Sequence, residues 1–173
     1  MPANVGYLTA DRGKESDETY TLPYAVEPII KYIKENDVIW CPFDEADSAY
    51  VQEFEKHGYK VIHSHISEGK DFFEWEPDEY YDVIISNPPY SNKDDVLKRL
   101  KELDKPFAML LPLPTLQGQK RFEYLQDTQA LIFDKRIKYI QHGKVNNRPS
   151  FASIYICKNV LPRDLIFEQV IEN

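Results

Sequence analysis

Asp82-Val83-Ile84-Ile85-Ser86-Asn87-Pro88-Pro89-Tyr90 is the stretch whose reading decides the fold. Val83, Ile84 and Ile85 form an unbroken apolar run of β-favouring side chains, the pattern of a strand covered on both faces. Pro88 and Pro89 then stop the ladder, because each lacks an N–H and fixes φ. Each also drives the residue before it into extended geometry, so Asn87 is held stiffly just past the strand. In open α/β sheets that is where ligands bind. The plain alternative is a strand terminator, since prolines and asparagine are ordinary turn residues.

The flanks supply the sheet such a strand needs. Val26, Ile29, Ile30 and Ile33 recur at helical spacing and predict one apolar stripe; Pro28 falls in the first turn, where proline is tolerated. Val38-Ile39-Trp40-Cys41-Pro42-Phe43 predicts a first strand, followed by the acidic turn Asp44-Glu45-Ala46-Asp47-Ser48. Ser48 or Asp47 caps the next helix, and Gly58 ends it in a left-handed conformation. Residues 59–66 predict a second strand with His63 and His65 on one face. Past the Asn-Pro-Pro-Tyr corner, Ser91-Asn92-Lys93-Asp94 reads as a capping box for a helix striped by Val96, Leu97, Leu100 and Leu103. Residues 107–112 predict another buried strand. The runs 130–139 and 150–158 predict a closing antiparallel hairpin, with His142–Asn147 as its connection. The sum is one α/β domain over residues 19–173, mostly parallel with helices on both faces, behind a flexible polar segment, residues 1–18.

Composition agrees with a soluble globular protein of 173 residues. No apolar run reaches the roughly 20 residues that span a bilayer, and the N-terminus lacks the apolar core of a signal peptide. A cytoplasmic location is expected, with Cys41 and Cys157 as reduced core thiols. None of the cysteines or four histidines shows metal-ligand spacing, so no metal is expected. The net charge of −8 is unevenly spread. Residues 1–92 hold 7 Lys+Arg against 19 Asp+Glu; residues 93–173 hold 14 against 10. The basic stretch Lys135, Arg136, Lys138, Lys144 and Arg148 is interleaved with Tyr139 and Phe151. It reads equally as a solvated face or as a groove for phosphates and stacked bases.

Strand, asparagine, two prolines and aromatic together resemble the catalytic corner of S-adenosylmethionine-dependent amino-methyltransferases, small phage-type adenine-N6 DNA methyltransferases in particular. Other stretches follow in consistent order. Tyr20-Thr21-Leu22-Pro23 resembles the Tyr-Thr-Pro segment before the family's first helix. Gly69-Lys70-Asp71-Phe72 resembles its Gly-x-Asp-Phe segment, and Arg136-Ile137-Lys138-Tyr139 its late Arg-Ile-x-Phe element. The resemblance implies a Rossmann-like class I methyltransferase sheet with S-adenosylmethionine as cofactor. Its methionine end would lie against Tyr20, Thr21, Pro23 and the turn Pro42-Phe43-Asp44. The family carries glycines at that turn and this chain has none, so either side chains bind the cofactor there or binding is weakened. His65 takes about the place of the acidic residue that bonds the ribose. Asp71 would accept from the adenine amine, and Phe72 would pack on that ring.

The same resemblance implies roles at the corner. Asn87 and the Pro88 carbonyl would accept the two N–H groups of an aromatic amine, Pro89 would stiffen the turn, and Tyr90 would stack on the flipped base. The expected partner is DNA, with no membrane and no metal involved. Methylation of RNA adenine, methylation of a protein glutamine, and a catalytically inactive binding protein are the alternatives. Specificity for a DNA sequence is short, comes from a homodimer or a recognition partner, or is absent.

Overall fold

The computed structural model describes residues 19–172, and the segment 1–18 expected to be flexible lies outside the described residues. Seven strands make the main sheet. β2 (Val38–Cys41), β3 (Lys60–His63), β4 (Val83–Ser86) and β5 (Phe107–Pro112) lie in the order β3-β2-β4-β5, all parallel. β9 (Ser153–Lys158) runs antiparallel beside β5, and β6 (Gln129–Phe133) and β10 (Leu165–Glu168) complete the order β5-β9-β6-β10. Only β9 opposes the others. This is the mostly parallel α/β sheet that the apolar runs predict. Every residue of β4 and β5 is buried, as strands covered on both faces require.

Among the described residues four α-helices accompany the sheet: α1 (Pro23–Ile30), α2 (Ala49–Lys56), α3 (Lys93–Leu103) and the short α4 (Phe122–Leu125). The crossover β2-α2-β3 moves toward one edge and β4-α3-β5 toward the other. Right-handed crossovers therefore put α2 and α3 on opposite faces. α1 packs on α2, and α4 on α3. Ser48 caps α2 as predicted, its Oγ accepting from the Val51 N–H at 3.3 Å, and Gly58 follows with φ of 86°. Trp40 anchors the core: it is fully buried, touches Phe72, Trp75 and Tyr81, and donates its indole N–H to Ser64 Oγ at 2.9 Å.

Four expectations are corrected. The run 130–139 is two strands. Asp134-Lys135-Arg136 turns the chain out of the main sheet, and β7 (Tyr139–Gln141) pairs instead with β1 (Thr19–Thr21) and β8 (Lys144–Asn146) in a separate sheet of order β1-β7-β8. The β7–β8 turn is made by His142 and Gly143, both at positive φ, as a two-residue hairpin with right-handed twist demands. The antiparallel closure is therefore β6 with β9, not one hairpin from 130 to 158. The capping box is absent: residues Tyr90–Asn92 wind as a 3-10 turn leading into α3, and Asn92 makes no side-chain cap. Asp94 and Asp95 instead place negative charge on the first turn. The second strand ends at His63, short of residue 66, and Leu165–Glu168 adds an edge strand to the sheet.

Candidate active site

β2 and β4 are neighbours whose crossovers leave in opposite directions, so a crevice opens at their carboxyl ends. The corner Asn87–Tyr90 follows β4 there. The Asn87 Nδ2 group donates to Thr21 Oγ1 at 3.0 Å, from the end of β1. Its Oδ1 is buried and has no hydrogen-bond partner, a condition shared only with His63 Nδ1 and Thr115 Oγ1 among the described side chains. Pro88 is buried and Pro89 exposed.

The tips of β2, β3 and β4 are tied by side chains. Ser86, one residue before Asn87, donates to Asp44 Oδ2 at 2.5 Å, and the Asp44 N–H donates to the Ser64 carbonyl at 3.0 Å. Burial pushes the Asp44 carboxyl up to about 6, against the lowering effect of hydrogen bonds from Ser86 and Ser48 and of nearby His65 and His63. Asp44 is thus turned inward as a tie between strands. Glu45 and His65 meet above it: Ser67 Oγ donates to Glu45 Oε1 at 2.6 Å, the Ser67 N–H donates to His65 Nδ1 at 3.1 Å, and His65 Nδ1 lies 3.6 Å from Glu45 Oε1. Glu45 and Ser86 had no sequence signal beyond their positions at strand ends.

The structure brings some predicted ligands to the crevice and withdraws others. Phe43, His65 and Asp71 are half-buried at the carboxyl ends of β2 and β3 and in the loop beyond. Asp71 Oδ1 accepts from the Phe73 N–H at 3.1 Å. Phe72 is 2% exposed and Pro42 is buried. The Phe72 ring is wedged between Trp40 and Phe43, so Phe43 is the ring that reaches the surface at this point. Tyr20 is half exposed, Pro23 exposed and Thr21 buried, its hydroxyl engaged with Asn87.

Tyr90 also departs from expectation. It is 3% exposed, with its hydroxyl 2.9 Å from that of Tyr139, which lies 2.5 Å from Ser153 Oγ. Phe151 covers the Tyr90 ring edge-on at 5.6 Å and stacks on Tyr139 at 5.9 Å. Burial raises both phenols, Tyr139 to about 12, so both stay neutral donors and acceptors. Tyr90 therefore supports the corner from behind rather than presenting a face for stacking. Tyr139 and Ser153 were not anticipated, because strand alternation does not disclose which hydroxyls meet.

The basic stretch divides. Lys135 and Lys138 share Glu172 at 3.1 and 2.5 Å, and Arg136 donates to the Pro149 carbonyl at 2.9 Å. Lys144 and Arg148 are exposed, without a carboxylate partner among the described residues. Where α1 meets α2, Glu27, Glu53 and His57 bring ligand-type atoms within 4.8 Å of one another. Lys56 lies 3.4 Å from Glu53 within α2, and His57 Nε2 lies 3.7 Å from Glu27 of α1. Among the described residues no helix is long and apolar enough to cross a membrane.

No protein-family model matches the chain, and no curated protein sequence does. Among solved structures the chain is similar to a putative methyltransferase from Thermoplasma acidophilum, at 14% identity and a TM-score of 0.40 over 80% of this chain and 73% of that one. It is similar to the type I restriction-modification methyltransferase subunit of Streptococcus thermophilus, at 12% identity and a TM-score of 0.46, over 90% of this chain but 48% of that one. It is also similar to a release-factor-specific protein-(glutamine-N5) methyltransferase from Alicyclobacillus acidocaldarius, at 16% identity and a TM-score of 0.36, over 79% and 93% of the two chains. At such identity and overlap these likenesses assign neither substrate nor cofactor to this chain.

Proposed function

We propose that this protein transfers a methyl group from S-adenosylmethionine to the exocyclic N6 amine of adenine in DNA. One observation carries the reading: Asn87 Oδ1 is a buried acceptor with no protein donor, while the same side chain's Nδ2 is already engaged. A buried acceptor left bare costs about 1–3 kcal/mol, and an incoming N–H removes that cost. The ligand that completes the corner is therefore a hydrogen-bond donor. An aromatic amine fits, since its lone pair is delocalised into the ring and accepting its hydrogens favours a pyramidal nitrogen.

The residues present also fit the cofactor. Asp71 and His65 offer polar atoms and Phe43 an apolar ring at the crevice, while Asp44 and Ser86 hold the strand tips at fixed spacing. When bound, S-adenosylmethionine supplies an electrophilic methyl on a positively charged sulfur. Asn87 then orients the amine by accepting from one of its N–H groups. Lys144 and Arg148 offer the DNA backbone two cations on and beside the small sheet that also carries Thr21.

The test is calorimetric titration with S-adenosylmethionine, followed by label transfer to duplex DNA, single-stranded RNA and a glutamine-containing peptide. DNA labelled at adenine N6 is the expected result. Asn87→Ala should reduce transfer by about 10²–10³-fold, the usual effect of removing one preorganised polar group. No heat of binding at millimolar cofactor would overturn the proposal, and so would label only on RNA or peptide.

A further inference from the structure

The two ends of the catalytic corner are held from one place. Thr21 and Tyr139 are direct partners in the β1–β7 antiparallel pair. Thr21 Oγ1 accepts from Asn87 at one end of the corner, and the Tyr139 hydroxyl meets Tyr90 at the other. All three side chains are sheltered: Thr21 is 9% exposed, Tyr139 1% and Tyr90 3%. Ser153, on β9 of the main sheet, closes the network through Tyr139. The small sheet thus grips the corner with one rung of its ladder.

An asparagine amide is a broad two-fold rotor about its last torsion. Left free, it offers either an acceptor or a pair of donors to an incoming amine, and only the acceptor is useful. Here Thr21 Oγ1 accepts from Nδ2, and Oδ1 points the other way. We infer that Thr21 is a positioning residue: it locks the Asn87 amide with Oδ1 presented to the substrate amine, while its cross-strand partner Tyr139 holds Tyr90 and fixes the far end of the corner. The positioning role rests on the proposed reaction for its kinetic consequences, but the lock itself is a property of the protein alone.

The experiment therefore has two arms, each on full-length protein with Thr21→Val, Thr21→Ser and Tyr139→Phe. In the first, the Asn87 side-chain NH2 resonances are followed by NMR without ligand. Thr21→Val, which keeps the shape and deletes the acceptor, should move these resonances and speed their exchange with water; Thr21→Ser should leave them in place. In the second, Thr21→Val should lower kcat about ten-fold, the worth of one hydrogen bond of ordinary strength. The S-adenosylmethionine Kd should stay unchanged, and Thr21→Ser should restore kcat. Tyr139→Phe should shift the Tyr90 ring resonances and lower kcat by a similar factor, with the Asn87 resonances retained. Unaltered Asn87 resonances in Thr21→Val would overturn the lock, as would a weakened cofactor Kd with kcat intact. A wild-type protein that transfers no methyl group would defeat the proposed reaction and leave the first arm to judge the lock.

Discussion

Replacing Asp44 by asparagine should stabilise the protein at neutral and higher pH, and by an amount that vanishes in acid. Asp44 is enclosed at the end of β2, and its carboxyl is raised from 3.8 to about 6 chiefly by burial. The folded protein therefore holds this proton more tightly than the unfolded chain does. Folding takes up a proton between these two values, so the favourable contribution is complete below about pH 4 and lost as pH climbs through about 6. The interval, at about 1.4 kcal/mol for each pH unit, comes to about 3 kcal/mol. Asparagine has nearly the same shape, accepts from Ser86 through Oδ1, and stays neutral throughout. Urea unfolding of wild type and Asp44→Asn should be measured in parallel from about pH 4 to about pH 8. The difference in unfolding free energy should swing toward the variant by about 3 kcal/mol across that range. Titrating groups that do not interact with Asp44 cancel in the comparison. A difference that stays flat with pH, or one that swings toward wild type, would show that Asp44 is ionised at little cost and that burial is not what dominates its setting.

Three further outcomes follow from the fold. Trp40→Ala should cost about 3–5 kcal/mol by urea titration, because it opens a large void among Phe72, Trp75 and Tyr81 and bares the Ser64 hydroxyl. Gly58→Ala should cost about 1–2 kcal/mol and leave the unfolding slope unchanged; φ is +86° and no atom lies within 4 Å of an added Cβ, so strain rather than collision sets the penalty. In DNA binding followed by fluorescence anisotropy over a salt series, the double variant Lys144→Ala, Arg148→Ala should flatten the log–log slope by about two, one for each phosphate that is no longer neutralised. An unchanged slope would remove this face from the DNA interface.

Much of the main sheet was legible because burial on both faces leaves a direct mark on sequence. The runs Val83–Ile85 and Phe107–Leu111 contain no polar residue, and the structure buries them fully. The corner was legible for a similar reason, since two prolines restrict a backbone whatever surrounds it. What could not be read was pairing. Ile137 and Tyr139 continue the apolar rhythm of residues 130–133, yet β7 leaves the main sheet because Thr19–Thr21, more than a hundred residues earlier, offers it an edge. Leu165–Glu168 becomes a strand only because β6 has a free side. The same limit applies to the candidate site. Aromatic type placed Tyr90 and Phe72 at the right ends of the right strands, but whether a ring faces a ligand or a neighbour depends on partners such as Phe151 and Trp40.

The reversed strand β9 has a consequence for the order in which the molecule can be made. The parallel half, β3-β2-β4-β5, is encoded by residues up to 112, while the strand that covers the β5 edge begins at Ser153. During synthesis some forty residues must therefore emerge while Phe107-Ala108-Met109-Leu110-Leu111 stands with one row of N–H and C=O groups unpaired. At about 5–20 residues per second, that exposure lasts roughly two to eight seconds. A long, flat, apolar edge of that kind is a template for another chain. Fragments cut between Pro112 and Ser153 are thus expected to aggregate, so this fold becomes safe late in chain growth, when its one reversed strand arrives.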